Sequence, residues 1–197
     1  MITDRATYLD IIQNGTLVGV DPEQMLLHGP TKRYVDKYLW HSPNKGIVTR
    51  YAPTERDVED HFGIFRGVDQ VEAFAQASTV SCATFLECRK LNCTPAELKD
   101  MFIPAFISIG NVNFYNYLEY GDTFVCLGNI TFFKWRQMAC SGRIYKIPRG
   151  FDVDDYFSDF TEERLLKYDI SKDFIQVAEL FDITGRAIKI ELFKKPE

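Results

Sequence analysis

Residues 67–90, GVDQVEAFAQASTVSCATFLECRK, are the stretch that most narrows what this chain can fold into. Between Val68 and Leu86 the only charged residues are Asp69 and Glu72, both within the first two turns of a predicted helix. Ala73, Ala75, Ala77, Ser78, Ser81, Cys82, Ala83 and Thr84 spread small side chains around the whole circumference. A surface helix would carry one apolar stripe and one charged face. This one is built to be surrounded, with side chains small enough to let a sheet or another helix come close.

The rest of the chain supplies candidates for what surrounds it. Thr3 caps a predicted helix running to about Gln13, and Asn14-Gly15 ends it. Asp21-Pro22-Glu23 starts a second short helix. Segments 33–40 and 46–52 read as an antiparallel pair about a Pro-Asn-Lys-Gly turn. Thr94-Pro95-Ala96-Glu97 is a capping box that opens another short helix. Beyond it the pattern turns to strand: 106–118, 122–135, 138–147, and a hairpin over 174–193 about Thr184-Gly185. The acidic, aromatic span 148–173 interrupts these strands and contains a short helix from Glu162 to about Tyr168. Its content suits a lid or an oligomer contact. The sum is a single α+β domain over 1–197, an antiparallel sheet with one central buried helix.

Composition excludes several classes of function. A net charge of -5 with scattered basic residues does not favour nucleic acid or an anionic membrane as partner. The start, MITDRATYLD, lacks the basic and long apolar regions of a signal peptide, and no run is apolar enough to span a membrane. Cys82, Cys88, Cys93, Cys126 and Cys140 form no C-x-x-C pair and, with three dispersed histidines, show no metal-ligand spacing. The expectation is a cytoplasmic protein with reduced thiols and no metal or cofactor. His28 reads as the residue that closes the second helix. His41, beside a proline turn, reads as exposed. The aromatic residues of 114–120 and 132–135 read as strand core and dimer surface.

HFGIFRGVDQVEAFAQAS (61–78) resembles the H-F, glycine, V-x-x-V-E-A-x-A-Q arrangement of the β-hydroxyacyl-(acyl carrier protein) dehydratases of the hotdog fold. LLHGPTKRYVDKY (26–38) is similar to that family's entry strand, with His28 and Val35-Asp36 at matching spacing. KGIVTRYAPTERD (45–57), IGNVNFYNYLEYGDTF (109–124), GRIYKI and VAELFDITGRAIKIEL follow in the family's order. The sequence departs from the pattern in one loop. Six positions instead of nine separate His61 from Gly67, and the loop prolines are absent, with Gly63 and Arg66 at two of their places. Gly67 to Glu72 keeps the family spacing.

The resemblance implies a hotdog fold, its sheet wrapped around the helix at about 67–90, with 148–173 inserted. It also implies dehydration of 3-hydroxyacyl thioesters on acyl carrier protein or CoA to trans-2-enoyl thioesters, in fatty acid or related acyl-chain biosynthesis. His61 would take the C2 proton, a task suited to imidazole. Glu72 of the partner subunit would protonate the leaving hydroxyl, so activity implies a homodimer, or a higher assembly such as a trimer of dimers. Gly67 and Val68 would offer the open helix N-terminus to the thioester oxygen. Gln76 would hold Glu72 at i, i+4. Two alternatives stay open: an acyl thioesterase that activates water at the same helix, and a non-catalytic hotdog protein that binds acyl carrier or acyl chains.

Overall fold

The computed structural model describes residues 5–26 and 28–192. The Thr3 cap, Phe193 and the C-terminal Lys194-Lys195 pair, expected to be a solvated end, lie outside them. Helices α1 (Arg5–Asn14) and α2 (Pro22–Met25) come first, then strands β1 (Lys37–Ser42) and β2 (Gly46–Tyr51), which pair as expected. Short α3 (Glu55–Val58), opened by a Thr54/Asp57 capping box, and β3 (Ile64–Phe65) lead into the central helix. That helix comprises α4 (Gly67–Ala75), a π-turn (Gln76–Val80) and α5 (Ser81–Leu91). Next come α6 (Pro95–Lys99), β4 (Phe102–Ser108), β5 (Asn111–Phe114), β6 (Leu118–Glu119), β7 (Thr123–Lys134) and β8 (Gln137–Ile147). Helices α7 (Val153–Tyr156) and α8 (Glu162–Lys167) and strand β9 (Ile175–Lys189) complete it. Among the described residues no helix is long and apolar enough to cross a membrane.

The main sheet runs β1-β2-β7-β8-β9-β4, antiparallel throughout, with β5 also on β9. Two expectations fail here. The strand expected over 106–118 begins at Phe102 and breaks into three pieces. The expected hairpin at Thr184-Gly185 is instead the interior of one long strand, β9. Gly185 is there because a side chain would meet Thr79 of the central helix, 2.8 Å from its Cβ position. A glycine inside a strand marks either a turn or a close backbone approach, and here it is the second.

Gly185 is one of three strand glycines that lie against the central helix. A Cβ on Gly128 would lie 2.6 Å from Ser78 Cβ, and one on Gly142 would run into the Leu127 carbonyl and come 2.8 Å from the Phe74 ring. Gly128 and Gly142 are cross-strand partners on β7 and β8. Together they form a shallow saddle under the turn of helix around Phe74, Ser78 and Thr79. At that turn the Ser78 and Ser81 hydroxyls each donate to a helix carbonyl, those of Phe74 and Gln76 (both 2.7 Å), where the ladder slips to π geometry. The small residues of the sequence thus meet the smallest residues of the sheet.

The sheet's other face is also covered. Val125, Leu127, Tyr145 and Ile147 point away from the helix and pack with Val153, Phe157, Phe160 and Leu165 of the 148–173 insertion. Ion pairs Lys37–Asp154 and Lys45–Glu162, both 2.9 Å, tie the insertion to the β1–β2 hairpin. It borders neither cavity described below, so the expected lid is corrected to a cover for the outer face. The aromatics of 114–120 are largely exposed instead of core: Phe114, Tyr115, Tyr117 and Tyr120 all stand open.

His41 is a further correction. It is buried, accepting the Leu17 amide on Nδ1 (3.2 Å) and packing edge-on against Phe85 of the helix. The N-terminal segment covers it, which a local reading of the proline turn does not foresee. Burial pushes its pKa down to about 4.

Two outcomes follow for stability. Gly142→Ala should destabilise the fold by about 2–3 kcal/mol, because the added methyl meets backbone that cannot yield, and chemical denaturation measures it. His41 binds its proton in the unfolded chain before the folded one. Stability should therefore fall as pH drops from about 6.5 to about 4, by about 3 kcal/mol at the limit. Denaturation of native and His41→Gln proteins across that window should show the steeper slope in the native protein.

Candidate functional site

The start of the central helix brings together most of the residues the sequence singles out. Asp69 and Gln70 amides both bond back to the Arg66 carbonyl (3.0 Å each), so the Gly67 and Val68 amides precede the helical ladder. Among the described residues neither amide has a hydrogen-bond partner. The Phe114 ring lies against Gly67, 3.0 Å from where a Cβ would stand, and Val68 is exposed. Arg66 grips Asp69 through two bonds of 2.6 and 2.9 Å, which holds that carboxylate at the positive end of the helix.

One turn on, Glu72 is held from two sides. Gln76, fully buried, donates to Glu72 Oε1 (2.8 Å) and to the Lys32 carbonyl (2.7 Å), and accepts the Tyr34 amide (2.8 Å). Its amide orientation is thereby set by two independent backbone groups. His28 Nε2 approaches the same Glu72 oxygen at 3.3 Å. Burial pushes the His28 pKa down, opposed by the Glu72 carboxyl. From the sequence, His28 reads as the residue that closes the second helix, with no contact to Glu72 implied. The two side chains sit 44 positions apart, and no local spacing reveals that they meet.

His61 lies elsewhere in the chain. It stands in the shortened loop, which turns through left-handed backbone at Asp60, Phe62 and Gly63 and leaves Phe62 96% exposed. Its Nδ1 is 3.1 Å from the Ile64 carbonyl. A carbonyl only accepts, so Nδ1 carries the hydrogen, and in the neutral ring the lone pair is then on Nε2. Around His61 is a polar cavity of about 260 Å³ bordered by Lys32, Tyr34, Arg56, Arg66 and Asp69 among others. Glu72 and His28 border a different cavity, so His61 and Glu72 do not share a site within one chain.

That second cavity, about 150 Å³, is an apolar groove between one face of the helix and strands β4 and β9. Glu72, Thr79, Ala83 and Glu87 follow one another along its helical side, spaced by turns. Phe102, Phe106 and Ala187 face them. Chemically it offers a carboxyl–imidazole pair, Glu72 and His28, at one end of a slot suited to a hydrocarbon chain. Among the described residues no group of three His, Cys, Asp or Glu side chains gathers as a metal site requires.

No family model matches the sequence, and no curated protein matches it. Solved structures do. The dehydratase heterocomplex ApeI:P from Xenorhabdus doucetiae superimposes with a TM-score of 0.60 at 10% identity, over 89% of this chain and 99% of that one. A 1,4-dihydroxy-2-naphthoyl-CoA thioesterase from Synechocystis gives 0.45 at 10% identity, over 77% and 88% of the two chains. At such identities the likeness is one of fold. An antiparallel sheet wrapped about a long buried helix, matched along nearly its whole length, makes this chain a hotdog-fold protein.

Proposed function

We propose that the protein dehydrates 3-hydroxyacyl thioesters of acyl carrier protein or CoA to trans-2-enoyl thioesters, as a homodimer serving acyl-chain biosynthesis. The observation that carries this reading is the Glu72 carboxyl, held by Gln76 beside the open helix start and bordering an apolar groove. His61 of one protomer faces Glu72 of the partner subunit. The His61 Nε2 lone pair takes the C2 proton, and the C2–H electrons become the C2=C3 bond. The C3–O bond breaks, and the hydroxyl leaves as water with the proton from Glu72. The Gly67 and Val68 amides take the charge that gathers on the thioester oxygen.

The dimer has a surface to form on. Strand β4 is an open sheet edge, and Ile103, Phe106, Ile107, Ile109 and Phe114 along β4, β5 and their connection are exposed. An apolar edge of this kind is covered in a stable protein. The buried, unbridged cysteines suit a reducing, cytoplasmic setting.

One observation favours a second reading. The imidazole beside Glu72 within a single chain is that of His28, which suits activation of water and hydrolysis of an acyl thioester. The assay is turnover of a 3-hydroxyacyl thioester with enoyl product and free thiol both followed. Dehydration predicts enoyl product, lost by about 10²-fold or more in both His61→Ala and Glu72→Gln. Thiol release that survives His61→Ala but not His28→Ala identifies the hydrolase instead. A folded dimer that forms neither product, whatever the chain length, is a binding protein and overturns both. Separately, Ile107→Lys should shift the protein from dimer toward monomer by at least tenfold in dissociation constant, read by light scattering across a dilution series.

A further inference from the structure

The far end of the groove is not apolar. Glu87 lies fifteen residues beyond Glu72, about 22 Å of helix rise, near enough to four turns to border the same groove. It is 3% exposed, and its Oε1 has no hydrogen-bond partner among the described residues. Opposite, from the β7–β8 turn, comes Arg136. Its guanidinium packs over Phe102 (4.9 Å), and its buried Nε likewise has no partner among the described residues. Among the described residues no ion pair joins the two. Phe102 begins β4, and the Arg136 carbonyl accepts the amide of Ala187 on β9 (3.0 Å). Thr79 and Gly185 lie midway along the groove, so Glu72 and the Glu87–Arg136 pair mark its two ends.

A buried carboxyl oxygen and a buried guanidinium N–H on two residues that border one slot, both without a partner among the described residues, are costly to a fold that gains nothing from them. Their demands are opposite. The oxygen needs a donor and the N–H needs an acceptor. A methyl-ended acyl chain meets neither. A carboxylate end would oppose Glu87, and an ammonium end would oppose Arg136. A hydroxyl donates to the one and accepts from the other.

We infer that the groove takes acyl chains bearing a hydroxyl at the end remote from the thioester, with Glu87 and Arg136 as the residues that select it. The chain's identity as an acyl group rests on the acyl-thioester reading above; the polar terminus rests on Glu87 and Arg136 alone. A site built to hydrogen-bond a hydroxyl discriminates strongly against the analogue lacking it, because the missing group leaves buried partners unpaired.

The test is calorimetric binding of ω-hydroxy and unsubstituted fatty acids, matched in length and graded along a series, to the full-length protein. At the length that spans the groove, the ω-hydroxy acid should bind about tenfold tighter or better. Glu87→Leu should abolish that preference, as should Arg136→Met on its turn, while Glu87→Gln, which still accepts and donates, should retain most of it. Equal binding of the two acids at every length would mean that water satisfies the two groups, and overturns the inference. So would a preference that survives both Glu87→Leu and Arg136→Met, or no binding of either acid. Turnover of a 3-hydroxybutyryl thioester by the native protein, whose chain ends far short of Glu87, reports separately on the dehydratase reading.

Discussion

The close seat of the central helix on the glycines of β7, β8 and β9 is the contact on which the rest of the molecule depends. Phe74, Ser78 and Thr79 rest where Gly128, Gly142 and Gly185 have no side chain. Any Cβ at those positions would push the helix off the sheet. With the helix that close, a carboxyl on one of its faces is aimed between helix and sheet edge. Glu72 and Glu87 are polar groups held at the ends of an apolar slot for this reason.

The same contact explains the slip in the helix. Side chains at Ser78 and Ser81 return hydrogen bonds to the helix's own carbonyls where the ladder widens. Hydroxyls are useful at that point because the helix is dry on nearly every side, and a displaced carbonyl would otherwise lack a donor. Residues that look merely small in the sequence serve both contact distance and hydrogen-bond supply.

Much of this was legible in the chain. The near-absence of charge from Val68 to Leu86 announces a surrounded helix, and the Thr94–Glu97 box starts a helix where expected, with Thr94 and Glu97 bonded reciprocally. The strands at 122–135 and 138–147 lie close to where pattern puts them. The failures share a cause. Thr184-Gly185 looks like a turn because glycine is common in turns, yet the glycine answers to Thr79, 106 positions away. His41 looks exposed because its neighbours favour a turn, yet Leu17 and Phe85 enclose it. The aromatics of 148–173 carry no regular alternation that would reveal a second layer on the sheet.

By itself the sequence determined the elements whose causes are local: caps, strand periodicity, and a helix too apolar to face water. It also placed Glu72 and Gln76 one turn apart, close enough for the bond they make. Only the tertiary structure decided which groups share a cavity. His28 meets Glu72 while His61 does not within the chain, and Glu87 and Arg136 border the same groove. Hydrogen bonds and cavities act over a few ångströms in space. Separation along the chain carries no record of that distance once the residues belong to different elements.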